Sequence, residues 1–386
     1  MQTTSSTIVL ECAKYSNRSK RNSSVEMLRI LSMLMIVTSH CVMFTNLNVL
    51  EQAFGINKVC IETFLYSGGK IGVVSFFAIS AWYLSQDGGV QSGLRRVWIL
   101  EREMLFWSVI LLAVTALIDQ TQLSIGLITR SLFPMITALW WYPTAYSVFL
   151  LFFPFLSQSL RAFGKSAHGA LCLMMFMLWT VLDMVMPLSA VGLPGGNYLS
   201  FIYIYVLIMY YRWHMKPIKI STAWWMLAIG YTAIALGSIG GGLLYERTGR
   251  LAVLQVYLGK VEFRLPVLMI GLALFVLFER HEFHSAIVNM VASSMFGVYL
   301  ITEYPTIRMW IWESSIVNSL VRMNSIWVIA TIVIAASLVL IICVVLDQIR
   351  EQLFRVTVDR HRGAWFDKLW NVIGNIIKQN TIKENR

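Results

Sequence analysis

Ten apolar segments recur along the chain, at residues 25–44, 69–86, 97–118, 138–160, 169–187, 197–211, 221–244, 263–279, 290–312 and 326–349. Most approach the roughly 20 residues a helix needs to cross a bilayer core. The sixth is marginal in length and the fourth carries Pro143 and Pro154, which a membrane helix tolerates when its neighbours re-satisfy the backbone. A soluble fold has too little interior to hide so much apolar surface: 57% of the 386 residues are hydrophobic and only 13% are charged, against about 25% charged in soluble domains. The expected fold class is an all-α integral membrane protein, a bundle of about ten transmembrane helices. No internal repeat is visible, so an inverted-repeat transporter gains no support.

Charge sets the orientation. The formal net charge of +11 comes from basic residues scattered between apolar runs, with no single patch of the kind nucleic acid would need, so membrane lipid is the expected partner and nucleic acid is not. With the N-terminus inside, 21 Lys and Arg fall at cytoplasmic positions and nine at outer ones: Lys58, Lys70, Arg130, Arg247, Arg250, Lys260, Arg264, Arg308 and Arg322. That asymmetry puts both termini in the cytoplasm. Residues 1–22, polar and then basic, read as a disordered cytoplasmic tail with no cleavable signal. Residues 23–350 read as the ten-helix membrane domain. Residues 351–386 read as a cytoplasmic tail, in which Trp365, Phe366, Leu369, Trp370, Ile373, Ile376 and Ile377 recur at helical spacing among basic residues; such a pattern suits a short interfacial helix on anionic lipid. Only about 36 residues follow Arg350, too few for a further domain.

Cys12, Cys41, Cys60, Cys172 and Cys343 form no C-x-x-C pair and hold no metal-ligand spacing with histidine, so they read as inert thiols. His281 and His284, at i and i+3, read as a solvated loop rather than a metal site. No metal centre is expected.

The first apolar segment carries the most informative pair, Arg29 and His40. Eleven steps of about 100° leave them roughly 20° apart in azimuth and about 16 Å apart along the axis. Both therefore face one groove of the bundle, where ionisable groups line a protein interior or a polar path. Taken singly, Arg29 could snorkel toward head groups or pair with Glu26 one turn earlier, and His40 could sit at the interface. A histidine is also the usual base for activating a hydroxyl. Gly68, Gly69 and Gly72 read first as close helix contacts, Lys70 as an interfacial anchor, Asp183 as interfacial, and Glu303 as an intramembrane acid near the site.

Arg29-x10-His40 resembles the pattern of the acyltransferase-3 family of membrane acyltransferases. Gly68-Gly69-Lys-Ile-Gly72-Val…Phe76-Phe77-Ala-Ile-Ser80-Ala81 is similar to a second family stretch, with Val74 and Ala81 as departures. Leu139-Trp140-Trp141-Tyr142…Phe153-Pro154-Phe155 and Ser294-Met-Phe-Gly297-Val-Tyr299-Leu300-Ile-Thr302-Glu303 echo two more, with Thr302 where the family commonly has His. The resemblance covers residues 22–350. It implies a ten-helix core that moves an acyl group, acetyl being the expected one, from cytoplasmic acyl-CoA to a sugar hydroxyl of a cell-surface or lipid-linked glycan, in the cell membrane.

The same resemblance implies site roles. His40 is the expected general base and Arg29 the group that orients the donor. Arg95, Arg96 and Arg102 would gather donor phosphates, though ordinary positive-inside anchoring also accounts for them. Glu26, Ser80 and Glu303 would line the site. No tightly bound cofactor is expected; acyl-CoA is a co-substrate, and separate glycan-assembly proteins are possible partners. The alternative is a transporter or flippase for a glycan or small anion, which the intramembrane polar residues would also suit.

Overall fold

The computed structural model describes residues 22–84, 89–186, 193, 195–321, 327–358 and 363–372. The N-terminal tail expected over 1–22 lies outside them but for Asn22, as do Ile373, Ile376 and Ile377 of the expected interfacial helix. Among the described residues the structure is entirely helical, with no strand. The helices are α1 (Ser23–Phe44), α2 (Ile56–Leu84), α3 (Val90–Ile118), α4 (Ile125–Leu132), α5 (141–163), α6 (165–185), α7 (Tyr198–His214), α8 (Ile220–Thr248), α9 (Leu265–Glu279), α10 (Ala286–Thr302), α11 (Pro305–Leu320), α12 (Val328–Val356) and α13 (364–372).

By length and apolarity, five helical runs among the described residues are able to cross a membrane: α1, α2, the run Trp141–Val185, α8 and α12. The bent pair α10 and α11 makes a sixth if it counts as one span. Of the other expected crossings, α7 and α9 are short, at 17 and 15 residues, and the first half of α3 is dense in charge. Large apolar side chains lie exposed along α8 and α12, among them Trp224, Ile229, Leu236, Ile334, Leu338 and Ile342. Lipid is the solvent in which such surfaces are at home.

The run Trp141–Val185 has 45 residues, and as one straight helix would be about 68 Å long, more than twice a bilayer core. It is broken at Gly164, which sits at φ 69°, in the left-handed region where a Cβ is costly. The contacts show a hairpin. Trp141 lies against Phe201 and Arg161 over Trp213, so α5 runs in the direction of α7. His168 lies against Trp213 and His214 while the Thr180 hydroxyl meets that of Tyr203 at 2.7 Å, so α6 runs back.

Two expected segments differ from the observed ones. The ninth, expected as a crossing over 290–312, bends by 89° between Thr302 and Pro305. Proline pushes the residue before it out of the helical region, and Tyr304 is extended, at φ −66° and ψ 131°. Three buried contacts pin the bend: Trp140 Nε1 donates to the Leu300 carbonyl (3.1 Å), the Ser131 and Tyr304 hydroxyls meet (2.8 Å), and so do those of Thr115 and Thr306 (2.7 Å). The tenth segment, expected to end at 349, continues to Val356. Arg350, placed by sequence at the cytoplasmic end of the membrane domain, is buried; it donates to both oxygens of Asp347 (2.8 and 2.9 Å) and pairs with Glu103 (3.1 Å). A buried guanidinium persists only with such partners.

α1 lies at the centre, packed against α2, α9, α10 and α12. Asn22 caps its first turn by accepting from the Ser24 N–H (3.0 Å). Ser23 ties that end to the loop after α9, donating its N–H to the Phe283 carbonyl (2.9 Å). The glycines of α2 let the two helices touch: a Cβ on Gly72 would lie 2.5 Å from the Ser32 carbonyl oxygen, and one on Gly69 2.5 Å from Ser39 Oγ. This is the close contact read from the sequence, and it fixes the height of α2 against His40.

Candidate active site

His40 sits in the last turns of α1 with 12% of its side chain exposed, and its Nδ1 lies 2.9 Å from Glu303 Oε1. The two atoms are close but are not aligned for a hydrogen bond, so the pair becomes an ion pair only when the imidazole is protonated. Catalytic pairs are often poorly aligned before substrate binds. Glu303 is the residue that leaves α10, directed at His40 by the pinned bend. Its other oxygen lies 3.6 Å from Arg308 NH1, and Arg308 lies over the Phe44 ring at 4.5 Å. With Nδ1 turned to the carboxylate, Nε2 is the ring nitrogen available to a substrate proton, the arrangement of a base oriented by a third group.

His40 and Glu303 open onto a cavity of about 520 Å³, whose walls include Ser39, Tyr66, Lys70, Trp141, Lys260, Tyr299 and Arg308. Ser39 Oγ donates to the Tyr66 carbonyl (2.8 Å), at the end of a π-helical stretch, Ile61–Tyr66, inside α2. Such an inserted residue frees a carbonyl from the helix ladder and is common near functional sites. Lys70 lies over the Trp141 ring (5.0 Å) and pairs with Glu262 Oε2 (3.1 Å). Glu262 lies in the loop before α9 and is fully buried. Burial pushes its carboxyl pKa up, but the Lys70 ammonium and the Gly196 N–H (2.6 Å) outweigh that and hold it below the usual carboxylate value.

Toward the Arg29 end the cavity closes to an apolar neck of about 10 Å³, walled by Met33, Ile36, Val73, Phe76, Tyr142, Phe296 and Tyr299. Ile36, Val73 and Tyr299 belong to both spaces. Tyr142 marks the first turn of α5, an N-terminus with no side-chain cap, and the Tyr299 side chain lies beside its backbone.

Beyond the neck, Arg29 NH1 donates to Glu26 Oε2 (3.2 Å) with a quarter of its side chain exposed. Tyr146 lies beside Ser80 and within electrostatic reach of both Arg29 and Arg96. The structure thus gathers Arg29, Glu26, Ser80 and Arg96 on one side of the neck and His40 with Glu303 on the other. Arg95 and Arg102 have partners at α13. Arg95 lies 3.6 Å from Asp367 of α13, and Arg102 lines a separate cavity of about 730 Å³ with Trp98, Trp365 and Lys368. One turn of helical geometry explains the split: 95 and 102 share an azimuth, while 96 points about 100° away.

The sequence does not single out Lys260, Arg308 or the neck residues Met33, Tyr142 and Phe296 as site residues, and it suggests Lys70 only as an anchor. For the three cations a signal existed, because they stand on the outer side against the positive-inside bias. For the neck the signal was only that Phe76, Tyr142 and Tyr299 fall in the stretches that resemble the family; nothing in the residues marks a constriction, since aromatic and Met side chains look the same whether they pack or gate. Asp183, read as interfacial, is buried in an ion pair with Arg264 (2.9 Å).

A family model described as an acyltransferase domain matches residues 22–347, which contain Arg29, His40, the neck and Glu303. No curated protein and no solved structure matches the chain.

Proposed function

The chain belongs to the acyltransferase-3 family of membrane acyltransferases, and from that premise we propose that it moves a short acyl group, acetyl in the first instance, from cytoplasmic acyl-CoA to a hydroxyl of a cell-surface or lipid-linked glycan. In this reading the chain crosses the cell membrane ten times with both ends in the cytoplasm, the bent pair α10 and α11 forming the ninth crossing. The observation that carries the proposal is the His40–Glu303 pair in a cavity, three helical turns along α1 from Arg29 and separated from it by a narrow apolar neck.

The chemistry follows from that arrangement. The glycan enters the cavity and the donor comes from the Arg29 side, its pantetheine arm passing the neck. His40 Nε2 takes the proton of the attacking hydroxyl. The sugar oxygen bonds to the thioester carbonyl carbon, the C–S bond breaks, and the proton held on His40 passes to the departing thiolate. Glu303 fixes the ring and stabilises the imidazolium. Tyr142 and Tyr299 line the neck, and their hydroxyls are the donors offered where negative charge develops on the carbonyl oxygen. Arg29 holds the donor on its own side, with Arg96 next to it. Separate glycan-assembly proteins would deliver the acceptor.

The test is comparative mass analysis of surface glycans from cells with the chain, without it, and with His40→Ala. Expected is a shift of one acyl group, removed by mild base, present only with the unaltered chain. A His40→Ala protein made at normal level that still acylates would end the general-base assignment. Glycan movement across the membrane with no covalent product would favour the transport alternative.

A further inference from the structure

We infer that the acceptor is an anionic glycan, one that presents a carboxylate or a phosphate beside the hydroxyl to be acylated; the inference rests on reading the His40 cavity as the acyl-transfer site. Basic residues on the outer side of a membrane protein run against the bias that orients it, so each calls for a local reason. Lys58 and Arg264 have one in the fold. Lys58 is buried and donates to the Leu50 and Gln52 carbonyls (3.0 and 2.7 Å), and Arg264 is buried against Asp183. Lys70, Lys260 and Arg308 instead line one cavity, the one His40 opens onto.

Their counter-charges lie behind them. Glu262 has no exposed side-chain surface and Glu303 has 10%, whereas Lys70 is 29% exposed, Arg308 38%, and Lys260 is exposed with no ion pair among the described residues. A ligand entering the cavity therefore meets three cations before it meets either carboxylate. Arg308 holds Glu303 only loosely, at 3.6 Å, and a guanidinium at that distance still has donors to offer. The Trp141 and Phe44 rings lie under Lys70 and Arg308, so the cations stand on rigid apolar walls, the usual make-up of a ligand pocket with a few placed polar groups. Complementary charge of this kind selects and orients a partner more than it adds raw affinity. An anionic group on the glycan, lodged among the three cations, would hold a neighbouring hydroxyl at His40.

The experiment uses the full chain in its own cells. Surface glycan is taken with and without the chain, cut to oligosaccharides, and sequenced by tandem mass spectrometry to find the sugar that carries the mild-base-labile acyl group. Expected is an acyl group on, or next to, a sugar bearing a carboxylate or phosphate; phosphatase or hydrofluoric acid treatment then tells the two sources apart. An acyl group on a sugar remote from any anion overturns the inference and leaves the acyl-transfer reading standing. Absence of any acyl difference fails that reading itself. In the same cells Lys260→Glu should lower acyl occupancy about tenfold at unchanged protein level, with Lys260→Arg near normal; full occupancy with Lys260→Glu overturns the inference.

Discussion

Replacing Glu303 by Gln tests the core of the site, because it removes the charge behind His40 and keeps the shape of the side chain. The nearest atoms of the pair are 2.9 Å apart and both side chains are about nine-tenths covered, so the charge centres lie roughly 4 Å apart. At an effective dielectric of about 20, one unit pair at that distance is worth about 4 kcal/mol. That interaction exists only while His40 carries the hydroxyl proton, so it lowers the barrier and not the ground state. At about 1.4 kcal/mol per factor of ten, kcat should fall by about 10² to 10³. The KM for the acyl donor should hold, since Arg29 is about 16 Å down the same helix. The assay is transfer of a radiolabelled acyl group from acyl-CoA to glycan in membranes, set against the amount of folded protein. A Glu303→Gln chain at normal level with a rate within threefold of the unaltered one would refute the reasoning, and Glu303 would then be only the anchor of Arg308.

The neck gives a prediction of opposite sign. Phe296→Ala removes an aromatic wall of an apolar space of about 10 Å³, and the ratio of butyryl to acetyl transfer should rise by at least about tenfold, one or two methylenes of clearance being worth roughly 1–3 kcal/mol; an unchanged ratio across donors of increasing length means the neck does not select the acyl chain. Glu262 predicts a pH dependence of stability. Its folded pKa is depressed, so its contribution is present above the unfolded carboxylate value of about 4.3 and is lost as pH falls through the lower folded value. The detergent-solubilised chain should lose thermal stability over that acid range, and Glu262→Gln should flatten the loss; identical profiles for the two would exclude the Lys70–Glu262 pair as its source.

The sequence by itself determined that the chain is helical and belongs in lipid, because apolar runs of near-spanning length have no other solvent. It determined that Arg29 and His40 share a face, because a helix has one period and eleven residues close three turns of it. It also marked Gly69 and Gly72 as contact points, which they are against Ser39 and Ser32. Only the tertiary structure decided what stands across from that face. The pairing of Glu303 with His40 depends on a bend at Pro305 held by Trp140, Ser131 and Thr115, whose bend contacts span 160, 173 and 191 residues of sequence, and no local pattern encodes contacts between distant segments. The same holds for Arg350, basic and near a predicted helix end, which reads as solvated until Glu103 and Asp347 are seen around it. That a neck forms was beyond reach for a plainer reason: Phe76 and Tyr142 stand in family-like stretches, but with Met33 and Phe296 they are ordinary membrane-helix side chains, and what makes them a constriction is the distance between helices, a quantity that packing fixes and composition does not contain.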